Sequence, residues 1–400
     1  MKAKKHILSI LLFVGFATRL EASLVAEALT PYVESKDLPC AISILEKPGA
    51  KDEAFVGFID EENTKPISLD STFMQCSQTK GFCGVTIAIL VEEGKLSLDE
   101  PVSKYLPQFK ELWVRNKGLE QDADTRVLKK ATRELLVRDV MNHTGGFPFE
   151  IPSKQQYPYG LGWSGVPISI VVREAAAMSL EFEPGTKTKY SNTGIDIGAA
   201  IVEAITGKPW EEFLEERVLK PLEMKDTTFW PTEEQLERAI PLYELHRDRK
   251  PKKIAYHKWM PAPHNGPKVY ASAGAGLWTT GRDQLKFYHM LMNLGMGDNG
   301  VRILKEETVR ELLAKDLRPA HTERGYSLGL TVSKDGWFGH GGAFNTNCMV
   351  NPDKKFLKLW IIQTSGGPRV WEKDCNAAIE KFFSSEIDNS AAEAYTGRTE

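Results

Sequence analysis

Ser77 and Lys80 are the residues whose types and spacing most directly promise chemistry. Three apart on a helix, they share one face. A serine hydroxyl is a weak nucleophile until a base takes its proton. A lysine desolvated beside it can have a lowered pKa and serve as that base. The start of a helix adds backbone N–H groups and positive potential where an oxyanion would develop. An N-capping serine beside a snorkelling lysine fits the same spacing, so the pair alone leaves both readings open.

The element that must position them runs from Met74 to Gly94. From Val85 to Val91 it is apolar on almost every side, which predicts a centrally buried helix. Glu92, Glu93 and Gly94 close it, Gly94 as the C-terminal cap. Polar Ser77, Thr79 and Lys80 at the opening of so buried a helix need partners or a cleft.

Ser77-Gln78-Thr79-Lys80 resembles the S-x-x-K of serine β-lactamases and penicillin-binding proteins. Glu93 to Val102, followed by Tyr105-Leu106-Pro107, is similar to the segment after the nucleophile helix in their class C branch. That branch also contains secreted esterases and D-amino-acid peptidases. Further matches follow in chain order: His143-Thr144-Gly145-Gly146, Pro184-Gly185-Thr186 with Tyr190-Ser191-Asn192, and Pro221-Leu222-Glu223-Met224 with Asp226-Thr227. The glycine-rich stretch Ser272 to Asp283 and Gly339-His340-Gly341-Gly342-Ala343 complete the set. The likeness covers roughly residues 70 to 365.

The resemblance implies a serine hydrolase in which Ser77 attacks a carbonyl while Lys80 and Tyr190 move protons. Asn192, with both donor and acceptor, holds Lys80 and a substrate carbonyl together. His340, Gly341, Gly342 and Ala343 are expected on an edge-like strand beside the nucleophile. Backbone N–H groups of Ser77 and Ala343 form the implied oxyanion hole. No cofactor and no metal are expected. His340 stands where many relatives carry a lysine, and a histidine is largely neutral near pH 7. That counts against carboxylate-bearing lactams and favours an esterase, with a D-amino-acid peptidase, a DD-carboxypeptidase or a β-lactamase as alternatives. A reading of another class is a non-catalytic, ligand-binding relative that kept the fold.

Other residues read as structure. His143 falls at a helix end, where it complements the dipole. Thr280 and Asp283 form a capping box, and Cys76 is a packed thiol. His246, His257 and His264 lack metal-ligand spacing. Gly162 to Gly165 brushes a nucleophile elbow but has Val166 where the second glycine belongs. Trp163 and Phe344 fit either the pocket mouth or the core. The substrate walls are expected from Gln155–Pro167 and Tyr243–Lys268.

Strand-like runs lie toward both ends: Cys40–Leu45, Ala54–Ile59, Tyr326–Val332, Cys348–Asn351 and Phe356–Gln363, the last two joined by an Asn351-Pro352-Asp353 turn. Helical periodicity marks Thr132–Met141, Ser169–Met178, Gly194–Ile205, Trp210–Leu219 and Val370–Phe383. The expected fold class is α/β (α+β), β-lactamase/transpeptidase-like: an antiparallel sheet flanked by helices with an inserted helical lobe. One hydrolase domain is expected over 23–386. Its sheet lobe is drawn from about 23–75 and 270–386, its helical lobe from about 77–265, and a disordered tail spans 387–400.

Lys2, Lys4 and Lys5 followed by apolar Ile7–Ala17 read as a signal peptide over residues 1–22, too short to span a bilayer. Secreted or periplasmic export follows, without stable membrane insertion after cleavage. The five cysteines are an odd number with no CxxC pair. The 400 residues carry 51 Lys+Arg against 54 Asp+Glu, a net charge of −3, which argues against nucleic acid and fits a small-molecule or short peptide substrate. With 42% hydrophobic and 26% charged residues, collagen-like and disordered readings are out.

Overall fold

A computed structural model of the protein describes residues 23–120, 125–150, 167–248, 250–255, 268–318 and 325–385. Ser23 starts α1 (Leu24–Glu34) by accepting from Ala26 N at 3.0 Å. A hairpin turning at Gly49 (φ 72°) joins β1 (Cys40–Lys47) to β2 (Ala50–Gly57). A short β3 (Thr72–Met74) leads through a 3₁₀ turn, Cys76–Gln78, into α2 (Thr79–Glu92). Then come a small ribbon of β4 (Trp113–Arg115) and β5 (Leu128–Lys130), α3 (Val137–Met141), α4 (Ile168–Ala177) and α5 (Asn192–Thr206). Next, α6 (Trp210–Leu214) runs on as a π-helical turn to Leu219, followed by α7 (Glu233–Glu237), β6 (Leu242–Leu245) and β7 (Lys252–Ile254).

β8 (Trp278–Thr280) pairs with β3 and feeds α8 (Gly281–Met292), after which α9 (Glu306–Thr308) opens another π-helical turn. The C-terminal part supplies β9 (Gly325–Ser327), β10 (Leu330–Val332), β11 (Phe338–Gly342), β12 (Thr346–Asn351), β13 (Phe356–Ile361), β14 (Thr364–Gly366) and α10 (Glu372–Ser384).

Seven strands form the main sheet in the order β2-β1-β13-β12-β11-β10-β9, every neighbouring pair antiparallel. Both chain ends therefore build one sheet, with Ile42 opposite Ile361. Alternation along β1 sorts its side chains onto two faces. Cys40, Ile42 and Ile44 join the core that contains α2, α5 and α8, while Ala41 and Leu45 pack with α1 and α10. Helices on both sides of an antiparallel sheet are the architecture expected from the sequence.

Several boundaries differ for physical reasons. Tyr326–Val332 is not one strand but β9 and β10, broken by a turn at Leu328 (φ 41°) and Gly329 (φ 84°). Of Thr132–Met141 only the last five residues are helical. Thr132 N is held by Glu183 at 3.0 Å instead, and the Asp139 carboxylate accepts from Leu136 N at 2.9 Å, which fixes the later start. Helix α5 begins two residues before Gly194 because Ser191 accepts from Gly194 N at 3.0 Å. β6 pairs in parallel with β14, Tyr243 opposite Thr364. None of the five cysteines is in a disulfide, and all five are buried. Residues 1–22 and 387–400, where the leader and tail are expected, lie outside the described residues.

Candidate active site

Ser77 stands on the 3₁₀ turn between β3 and α2, where Cys76 adopts a left-handed φ of 49°. The turn is pinned from both sides. Gln75 N donates to Leu277 O at 3.1 Å, and Leu277 N donates to Thr79 Oγ1 at 3.2 Å. Ser77 does not cap the helix, since the cap position is Gln78 and makes no side-chain cap bond. Its half-buried hydroxyl is free to serve otherwise.

Lys80 is fully buried, and its Nζ has a defined set of neighbours. It donates to Asn192 Oδ1 and to the Gly274 carbonyl, each at 2.6 Å, and lies 3.2 Å from Ser77 Oγ. Two short bonds to groups that only accept claim two N–H positions of a tetrahedral nitrogen. The remaining position points at Ser77. That contact, Lys80 Nζ to Ser77 Oγ, puts the nitrogen within proton-transfer reach of the serine hydroxyl. Gly274 comes this close because it lacks a Cβ, which would sit 2.8 Å from the Asn192 side chain.

Tyr190 covers the lysine, its ring centroid 4.7 Å from Nζ. Backbone bonds on either side hold it, Lys189 N to His143 O at 2.8 Å and Asn192 N to Phe149 O at 2.9 Å. Among the described residues the buried Asn192 Nδ2 makes no hydrogen bond of normal geometry, though the Glu150 carboxyl approaches it. Ser77, Lys80, Tyr190 and Asn192 are thus brought together.

The H-G-G segment closes the other side. β11 is interior in the sheet order, yet β10 pairs only with Phe338 and Gly339, so His340, Gly341 and Gly342 pair on one side, with β12. Their other side meets the turn that carries Ser77. The segment is edge-like where it matters. The exposed Ala343 follows it, and its amide lies near the Cys76 sulfur. Burial pushes that thiol up to about 12 while the Ala343 and Phe344 amides pull it down, so Cys76 is a packed, unreactive group.

His340 sits 6.2 Å from Tyr190, ring centroid to centroid. Its Nδ1–H donates to the Gly341 carbonyl at 2.5 Å, which leaves Nε2 to accept from the Tyr326 hydroxyl at 3.1 Å. Burial, and then the Lys80 charge, lower its pKa to about 3, so the ring is neutral.

Sequence reasoning misplaced or missed several neighbours. His143 does not complement a helix dipole. It lies beyond the end of α3 at φ 63°, its ring 4.4 Å from Tyr190 and 4.5 Å from Tyr326. Burial and Lys80 hold it well below its ordinary value, hence uncharged. Tyr326 carried no motif. Glu150, half-buried and within electrostatic reach of Lys80, approaches the Asn192 amide without a bond of normal geometry, and burial raises its carboxyl. Asp196 was missed, although it follows Asn192 by one helical turn and so shares its face of α5.

Phe344 packs in the core with Cys76 and Trp278, away from any pocket mouth. Thr280 caps α8, but Asp283 does not return the bond as a capping box would; its carboxylate accepts from Asp226 N at 2.7 Å. Trp163, the 162–165 motif, His257, His264, nearly all of the expected wall loop 155–167 and half of the loop 243–268 lie outside the described residues. Among the described residues no group of His, Cys, Asp and Glu is arranged to hold a metal ion.

The family described as Beta-lactamase matches residues 25–374. Protein Rv1367c of Mycobacterium tuberculosis is 29% identical over 340 residues, covering 77% of this chain and 81% of that protein. Esterase EstB of Burkholderia gladioli is 24% identical over 248 residues, 58% of this chain and 59% of its own. Among solved structures, EstCE1, a hydrolase with promiscuous acyltransferase activity, superposes with a TM-score of 0.71 at 20% identity, covering 89% of this chain and 97% of that one.

Proposed function

The chain belongs to the Beta-lactamase family, and from that premise we propose that it is a serine hydrolase cleaving esters, and secondarily amides, through an acyl-enzyme on Ser77. The observation that carries this reading is the coordination of Lys80, whose Nζ holds two fixed acceptors and turns its remaining position to Ser77 Oγ at 3.2 Å.

Lys80, reacting through its unprotonated form, takes the Ser77 proton as Oγ attacks the substrate carbonyl. The negative charge that develops on the carbonyl oxygen is received by the Ser77 and Ala343 amides. Collapse of the tetrahedral species breaks the bond to the leaving group, which departs with a proton from Lys80 or Tyr190. A water molecule then gives its proton to the same pair and attacks the acyl carbon. The carboxylic acid leaves and Ser77 regains its hydrogen.

His340 supports an ester over a carboxylate-bearing lactam or peptide terminus. Held neutral with its pKa near 3, it supplies no cation for a substrate carboxylate. The substrate is accordingly a neutral small molecule or short peptide. The basic-then-apolar start of the chain supports export to the periplasm or beyond.

Labelling with a fluorophosphonate probe tests the nucleophile: the wild type is expected to take one label and Ser77→Ala none. Equal labelling of both removes Ser77 from the reaction. Turnover of p-nitrophenyl acetate, a D-alanyl amide and nitrocefin ranks the substrate classes. Absence of turnover on all three favours the non-catalytic, ligand-binding reading.

A further inference from the structure

Asp196 is nearly fully buried beneath the lysine, one turn along α5 from Asn192. Its carboxylate is satisfied almost entirely by one segment of chain. Tyr270 O–H donates to Oδ2 at 2.5 Å, and the Ala273 and Gly274 amides donate to Oδ1 at 2.8 and 3.2 Å. The Ser272 hydroxyl lies at 3.4 Å from the same oxygen. Gly274 then turns its carbonyl to Lys80 Nζ at 2.6 Å. Gly274 thus donates to Asp196 through its N–H and accepts from Lys80 at its C=O.

We propose that Asp196 is a positioning residue for the general base: by clamping the amides of Ala273 and Gly274, it aims the Gly274 carbonyl at Lys80 and so turns the lysine's remaining position toward Ser77. This rests on the reading of Lys80 and Ser77 as base and nucleophile. It extends that reading to a residue that touches neither substrate nor serine. Orientation of a base over a few tenths of an ångström matters because proton transfer requires hydrogen-bond reach and alignment.

Charge reinforces the geometry. Burial raises the Asp196 carboxyl to about 6, against the pull of Tyr270, the Gly274 amide and Lys80. The titratable groups facing it are Tyr270 from the segment before β8 and Lys80 and Cys83 from α2, with Glu150 acting at longer range through Tyr270. Protonation weakens the carboxylate as an acceptor for the two amides. Wild-type kcat is therefore expected to fall as pH drops through about 6.

The test is steady-state hydrolysis of p-nitrophenyl acetate across pH by wild type, Asp196→Asn and Tyr270→Phe, with thermal melting to confirm folding. Asp196→Asn is expected to lower kcat roughly 10- to 100-fold with KM within about threefold, and to lose the acidic limb. Tyr270→Phe removes a donor that favours the charged carboxylate, so its acidic limb moves to higher pH. A folded Asp196→Asn with wild-type kcat and limb overturns the proposal. So does a kcat loss in which Tyr270→Phe leaves the limb unmoved, since that is packing alone. If Asp196→Asn does not fold, the Tyr270→Phe limb decides by itself. Fluorophosphonate labelling of Ser77→Ala reports separately on the nucleophile, so failure of that reading is not mistaken for failure of this one.

Discussion

The Tyr326 hydroxyl and His340 Nε2 face each other at 3.1 Å, and with Nδ1–H committed to the Gly341 carbonyl the neutral ring accepts from the tyrosine. Protonating the ring would reverse this bond, Nε2–H then donating to the Tyr326 oxygen, and would bury a cation close to Lys80, which is what disfavours it.

Neutrality of His340 predicts how the enzyme treats charged substrates. The ratio of kcat/KM for p-nitrophenyl succinate, an anion, to that for p-nitrophenyl acetate should stay constant from about pH 6 to about pH 8. A histidine becoming cationic in that range would raise the ratio as pH falls. A rise of severalfold toward the acid side would show that His340 does titrate there.

The proposed role of Lys80 as the base predicts that no other cation replaces it. Lys80→Ala should lower kcat by about 10² to 10⁴, the usual worth of a positioned general base. Lys80→Arg should not recover it, because a guanidinium stays protonated and its planar fork does not match the fixed pair of Asn192 Oδ1 and Gly274 O. Burst-phase acylation measured by stopped flow checks both. An arginine variant within tenfold of wild type would mean that the residue acts by charge and not as a base.

Ser77, Lys80, Tyr190 and Asn192 were legible because each belongs to a short motif whose spacing survives in one dimension. The fold class was legible because β1 and β13 each carry strong strand patterns. What could not be read is set by contacts between distant segments. The Gly274 carbonyl is main chain, and no side chain announces its role as a partner of Lys80. Tyr326 has meaning only once β9 lies across from His340. The break between β9 and β10 has the same origin, since the turn at Leu328–Gly329 is shaped by α2, far away in sequence.

His289, far from the site, predicts a pH dependence of stability. It bridges α8 to β1, with Nε2 2.8 Å from Glu46 and Nδ1 2.6 Å from Asp298. Burial opposes its charged form, but Asp298 and Glu46 outweigh that and raise the imidazole to about 9. A histidine raised in the folded state contributes stability below its unfolded value near 6.5 and loses it as pH rises through about 9. The stability difference between wild type and His289→Gln, from urea unfolding, should be roughly 2 kcal/mol near pH 6 and shrink toward zero above pH 9. A difference that does not change with pH would mean that the bridge carries no net charge stabilisation.

Gly84 within α2 and Gly94 just beyond its end should respond to alanine very differently. A Cβ on Gly84 would meet the Leu328 carbonyl oxygen at 1.6 Å, and Gly329 approaches the Lys80 carbonyl so closely that its own Cβ would lie 2.1 Å away. Main-chain atoms cannot rotate aside, so Gly84→Ala must push the β9–β10 turn off α2 and cost about 3 kcal/mol or more. Gly94, beyond the helix end at φ 69°, has open space around it, so Gly94→Ala meets only the backbone penalty of about 1 kcal/mol. Because the displaced turn lies on the main chain of Lys80, Gly84→Ala should also lower kcat, whereas Gly94→Ala should not. Urea midpoints together with p-nitrophenyl acetate turnover distinguish the two, and equal losses in both variants would show that α2 and the β9–β10 turn are not rigidly packed.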